Sequence, residues 1–167
     1  MAITESPFAV LTAVVAPALL TNSSTVLVLG IGNRIARVID RTRAVAEALA
    51  QVGEDSELHQ LLQHQSCLLT LRKDHLSRAL RLGYAAIGGF AAEALIAVLG
   101  GVLVHEEFLI VSRIAAIAAL AIGFGSVGAL VSACVYMVRE TAVALDNLAE
   151  ETQTVMLEAA QRNPRRG

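Results

Sequence analysis

The chain has 167 residues, of which 55% are hydrophobic and 17% charged, with a mean hydropathy of +0.61. Soluble domains carry about 25% charged residues, so this composition excludes a chain solvated by water alone, and its length fits one domain. A net charge of −2 gives no basic surface broad enough to argue for nucleic acid.

Residues 1–7 contain Glu5 and no Lys or Arg, so the charged start of a signal peptide is missing and the apolar stretch behind it is expected to be a retained span. Three stretches reach the roughly 20 apolar residues that a bilayer demands: 8–31, 84–104 and 112–138. In hydrocarbon each must be helical, because a helix satisfies its own backbone groups.

The first span holds Ala16-Pro17-Ala18-Leu19-Leu20, followed by five consecutive polar side chains: Thr21, Asn22, Ser23, Ser24 and Thr25. Pro17 has no N–H to give the carbonyl of Ala13, which predicts a kink. The polar run covers every face of a helix, so part of it must meet protein or water. One expectation is a helix joined to its neighbours by hydrogen bonds. The other is a polar wall along a pathway, or a helix interrupted near Asn22.

Beyond Ile31 the apolar positions Ile31, Ile35, Val38, Thr42, Val45, Leu49 and Val52 alternate in steps of four and three, the seam of a coiled coil. Arg34, Arg37, Arg41 and Arg43 accompany it. They are expected to touch anionic lipid heads or to form a charged ring at the mouth of an oligomeric pore. Gly53-Glu54-Asp55-Ser56 breaks the seam, with Ser56 as an N-cap. Leu58, Leu61, Leu62, Leu68, Leu69, Leu76 and Leu80 then lead into the second span. Leu145, Leu148, Thr152, Val155 and Ala159 repeat the device behind the third, and Asn163-Pro164 ends it.

The predicted fold class is therefore an all-α membrane protein, a single domain over 1–167. Its three transmembrane helices continue into a long cytoplasmic helical, coiled-coil-like bundle with segments at about 31–52, 56–83 and 138–162. Arg and Lys concentrate between spans one and two and behind span three, while the loop with His105, Glu106 and Glu107 is poor in them. The positive-inside rule puts that loop and the N-terminus outside and the C-terminus in the cytoplasm. Arg113 is expected to reach the outer interface.

Glu93 is the one ionisable residue in the middle of a span. A charged carboxylate there costs a few kcal/mol. Asn22 and Ser126 fall at a similar depth and are its expected hydrogen-bond partners, either in a cation or proton site or around a neutral Glu that simply hydrogen-bonds between helices. In span three Ala121, Gly125, Ala129 and Ala133, with Gly128 and Ser132, predict close helix packing.

Cys67 and Cys134 are expected to be small packing residues, and His59 and His64 to be solvated. Neither their spacing nor any other constellation provides a metal site, a cofactor fingerprint or a nucleophile with its base.

Pro17-Ala18-Leu19-Leu20-Thr21-Asn22, Asn33-Arg34 and Asp40-Arg41-Thr42-Arg43 resemble the first-helix signature of a bacterial three-span membrane family catalogued as a domain of unknown function. The resemblance runs over nearly the whole chain and implies a small inner-membrane protein without a known activity. Two functions stay open: a channel-like homo-oligomer conducting an inorganic ion along the first span, or a membrane scaffold that binds a partner through its cytoplasmic helices. The bilayer is the common partner of both.

Overall fold

The computed structural model describes residues 7–51, 57–103 and 109–162, with side chains at 15–51, 58–100 and 110–145. They form three helices: α1 (Pro7–Gln51), α2 (Glu57–Leu103) and α3 (Leu109–Arg162). Their 45, 47 and 54 residues correspond to about 68–81 Å at 1.5 Å per residue. All three are long and apolar enough to cross a membrane, and each far exceeds the ~30 Å hydrocarbon layer. The break at 53–56 with its cap Ser56, the loop at 105–107 and the stop at Asn163-Pro164 lie outside the described residues.

Pro17 does not interrupt α1, which runs through it as one helix, so the break considered near Asn22 is not formed. The missing N–H costs a single bond within a helix otherwise bonded along its length.

α2 occupies the middle of the molecule. It packs along both α1 and α3, while those two scarcely meet. Val28 reaches α2 at Gly83, Gly89 faces Ser126, and Gly100 approaches Ala115, so neighbouring helices run antiparallel.

The buried positions repeat every seven residues on all three helices. On α1 they include Pro17, Ser24, Ile31, Val38 and Val45; on α2, Leu69, Leu76, Gly83 and Phe90; on α3, Ala119, Ser126, Ala133 and Glu140. A step of seven drifts by only ~20° around a helix and so keeps one stripe on its neighbour. Ile31, Val38 and Val45 meet Leu69, Leu76 and Ala79 in one cluster, with Ile35 and Leu62 at its edge.

Every described position of the α1 seam is buried or half-buried. The seam continues the packing of the apolar segments, while Leu58, Leu61 and Leu145 of the other two patterns are exposed. The expected small-residue stripes also shift. Ala133 is buried, but Ala121, Gly125, Gly128 and Ser132 are exposed. A step of four drifts by about 40° each time, so such a row winds off the contact face within three steps. Cys67 and Cys134 are exposed rather than packed.

Candidate functional site

Two regions hold the polar groups of the spans and their ends. The first is the Thr21–Thr25 run with Glu93 and Ser126. Each hydroxyl in the run donates to a carbonyl one turn back: Thr21 to Pro17 (2.8 Å), Ser23 to Leu19 (3.0 Å), Ser24 to Leu20 (2.7 Å) and Thr25 to Thr21 (2.9 Å). Backbone bonding of this kind lets Ser and Thr sit in an apolar helix at low cost. Ser24 is fully buried, while Asn22, Ser23 and Thr25 are exposed. Two residues along a helix is a turn of about 200°, so Asn22 lies on the side of α1 opposite Ser24. An amide, unlike a hydroxyl, has no comparable bond to its own helix here.

Glu93 lies between α2 and α3, half-buried, with its carboxylate against Gly123. A Cβ at position 123 would stand 2.6 Å from Oε1 of Glu93, so a glycine is what leaves room for the carboxylate. Ser126 is buried close by and faces Gly89, and its hydroxyl donates to the carbonyl of Ile122 at 2.7 Å. The structure thus brings Glu93 and Ser126 to the same helix interface. The expected bonds of Glu93 to Asn22 and Ser126 are not formed among the described residues, because Asn22 faces outward and Ser126 is committed to its own backbone.

The second region is an ionic cluster at the basic ends of the spans. Glu140 is 1% exposed and takes a donor from each of the other helices. Arg34 Nη1 of α1 donates to Oε2 at 2.9 Å, and Arg72 of α2 donates to Oε1 through Nη2 at 2.7 Å and Nε at 2.9 Å. Arg34 Nη1 also donates to Thr141 Oγ1 at 2.8 Å, and Thr141 is itself held to the carbonyl of Met137. Charge-assisted bonds of this type are about twice as strong as neutral ones, and here they tie together the two helices that otherwise barely touch.

Beside this cluster is a cavity of about 350 Å³, lined by Arg34, Arg37, Arg41, Arg72 and Glu140 with Val38, Leu69 and Ala144. Of the four arginines singled out in sequence, three line the cavity, while Arg43 is exposed and lies outside it. Arg34 turns toward Glu140 inside the subunit.

Glu140 and Arg72 were not legible as a pair. In sequence Glu140 stands between Arg139 and Thr141 just past an apolar span and looks like one of many solvated charges. The available signal was its phase: Ala119, Ser126, Ala133 and Glu140 are seven apart, which puts Glu140 on the packed stripe. His64 is exposed as expected, whereas His59 is half-buried, and His75 stacks at 6.1 Å from Tyr136. Among the described residues no group of three His, Cys, Asp or Glu could hold a metal ion.

No curated protein and no solved structure matches the chain. A family model does: DUF2721, described as a protein of unknown function, matches residues 14–150. That range contains the first-helix residues of the resemblance and all of the Arg34–Glu140–Arg72 cluster. With most of its length matched and three helices apolar enough to cross a membrane, the chain belongs to the DUF2721 family of unknown function.

Proposed function

We propose that the protein is a non-enzymatic, homo-oligomeric membrane protein that meets its own copies along the outward side of α1 and forms a channel-like assembly around that helix. The reading includes a bacterial inner membrane, with the N-terminus outside and the arginine-rich ends in the cytoplasm. The observation that carries it is Asn22, an amide in the apolar part of α1 that points away from the rest of the subunit.

An amide facing lipid loses its hydrogen bonds to water without replacement. A second Asn22 is its natural partner, because each amide both donates and accepts. The surrounding positions suit such a contact. Val15, Ala18, Asn22, Thr25, Leu29 and Ala36 are all exposed, and with Gly32 they follow steps of three and four. Small residues let backbones approach, and interhelical bonds in lipid add about 0.6–2 kcal/mol each. A single Asn in such a repeat also fixes subunit number. The hydroxyl of Thr25, on the Asn22 face, has its proton committed to the carbonyl of Thr21. Toward a central axis it would present lone pairs, which suit a cation.

Native mass spectrometry in a mild detergent tests the assembly. The wild type is expected as one oligomer of defined number, and Asn22→Val as monomer or a mixture of lower species. Disulfide trapping of Asn22→Cys, with Cys67 and Cys134 replaced by Ala because both are exposed, should give dimers across the interface. A monomeric wild type ends the proposal. For conduction, cation flux into liposomes should fall with Asn22→Val, and Glu93→Gln reports whether the α2–α3 carboxylate takes part.

A second reading, a scaffold that docks a partner on its cytoplasmic half, draws on Leu58 and Leu61, about half exposed on α2. It is the reading favoured by a monomeric mass.

A further inference from the structure

We propose that the arginine-lined cavity beside Glu140 is a binding site for a phosphate group, most directly the head of an anionic phospholipid. Arg34, Arg37, Arg41 and Arg72 line it with one carboxylate among the described residues, and Arg34, Arg37 and Arg72 alone outnumber that carboxylate by two. Glu140 cannot neutralise more: its two oxygens already hold Arg34 and Arg72. Those bonds use one N–H-bearing nitrogen of Arg34 and two of Arg72, and a guanidinium has five N–H donors, so both arginines keep donors for another acceptor.

Glu140 does a second thing for such a site. It fixes the planes of two guanidinium groups contributed by different helices, and a fork held in place loses less entropy when it binds an anion. Arg37 is exposed and has no ion pair among the described residues, so one guanidinium at the rim is uncommitted. Phosphate oxygens match several guanidinium donors at once better than a lone carboxylate does. The space is also ample for the group and part of its ester.

Depth points to the lipid. Arg34 is three residues beyond the apolar stretch that ends at Ile31, and Glu140 two beyond Val138. At 1.5 Å per residue these are about 3–5 Å, within the headgroup layer, which adds roughly 5–7 Å on each side of the hydrocarbon, while Arg37 and Arg41 are six and ten residues beyond Ile31, about 9 and 15 Å out, with side chains that lean back toward the start of α1 and so toward that layer. This site lies inside one subunit, so it stands whether or not α1 assembles into an oligomer.

The test uses the full chain in a non-ionic detergent, with bound species counted by native mass spectrometry. Phosphatidic acid is titrated in one arm, phosphatidylcholine in a second and inorganic phosphate in a third. The expected result is phosphatidic acid bound at least tenfold more tightly than phosphatidylcholine. Arg37→Ala should weaken it several-fold and Arg37→Glu tenfold or more, with helicity by circular dichroism and thermal unfolding unchanged. If inorganic phosphate binds with the same dependence on Arg37, the phosphate site holds and its natural source is soluble. Equal binding of phosphatidic acid by the wild type and Arg37→Glu overturns the site, as does indifference between the two lipids with no binding of inorganic phosphate.

Discussion

Glu140→Ala is expected to lower stability by about 3 kcal/mol, the low end of the cost of breaking a buried ion pair. The carboxylate is 1% exposed, while the arginine side chains are 38% and 25% exposed. Its removal therefore leaves two like charges in partial contact with solvent, which absorbs part of the penalty. Glu140→Gln should cost less, since an amide oxygen still accepts a hydrogen bond. Unfolding in a mild detergent with increasing dodecyl sulfate, followed by circular dichroism, gives both values. The sign of a third variant separates pairing from packing. Replacing the whole cluster (Arg34→Met, Arg72→Met, Glu140→Leu) removes every charge together and should cost less than Glu140→Ala alone, because buried ion clusters gain little net over apolar residues of similar volume. A triple variant less stable than Glu140→Ala would mean that the cluster contributes far more than its charges cost to bury.

Gly89→Val should be the most damaging change within the spans, at about 2 kcal/mol by the usual range for overpacking. A Cβ at position 89 would run into the Ser126 hydroxyl and come within 3.1 Å of the Ser126 Cβ, which cannot yield without moving α3. Ser126 is buried and its hydroxyl is bonded to Ile122, so turning it aside breaks that bond and still leaves the close Cβ approach. Gly89→Ala should cost less than valine. Combining it with Ser126→Gly, which moves the methylene from one helix to the other, should restore most of the loss. The same unfolding assay reads all three, and a double variant no better than Gly89→Ala would contradict the close approach of α2 and α3 here. Gly125→Val and Gly88→Val are the controls: nothing lies within 4 Å of either, and both should leave the subunit's stability nearly unchanged.

The parts of this fold that were legible in sequence depend on solvent and on local period. Lipid forces any apolar run of sufficient length into a helix, so the three spans follow from hydropathy. The seam from Ile31 to Leu49 follows from its steps of three and four, and those residues do turn inward. What was not legible depends on which faces meet. Asn22 and Ser24 are equally polar, and only the packing of α1 on α2 decides that Ser24 enters the subunit while Asn22 leaves it. The Ala121–Gly125–Ala129 row looked like a contact because its residues are small, yet size does not choose the face. Glu140 escaped notice because its partner lies 68 residues away on α2, a separation that no local pattern reports.

That separation also sets an order of events during synthesis. When α1 and α2 have left the ribosome, Arg34 and Arg72 have both been made, while Glu140, the carboxylate that accepts from both, has not. At about 5–20 residues per second, the 37 residues from the end of α2 at Leu103 to Glu140 take roughly 2–7 s. Throughout that interval the hairpin of α1 and α2 is incomplete in charge rather than in shape. The last helix to be made brings the neutralising group, so the ion pair closes the molecule only after all three spans exist.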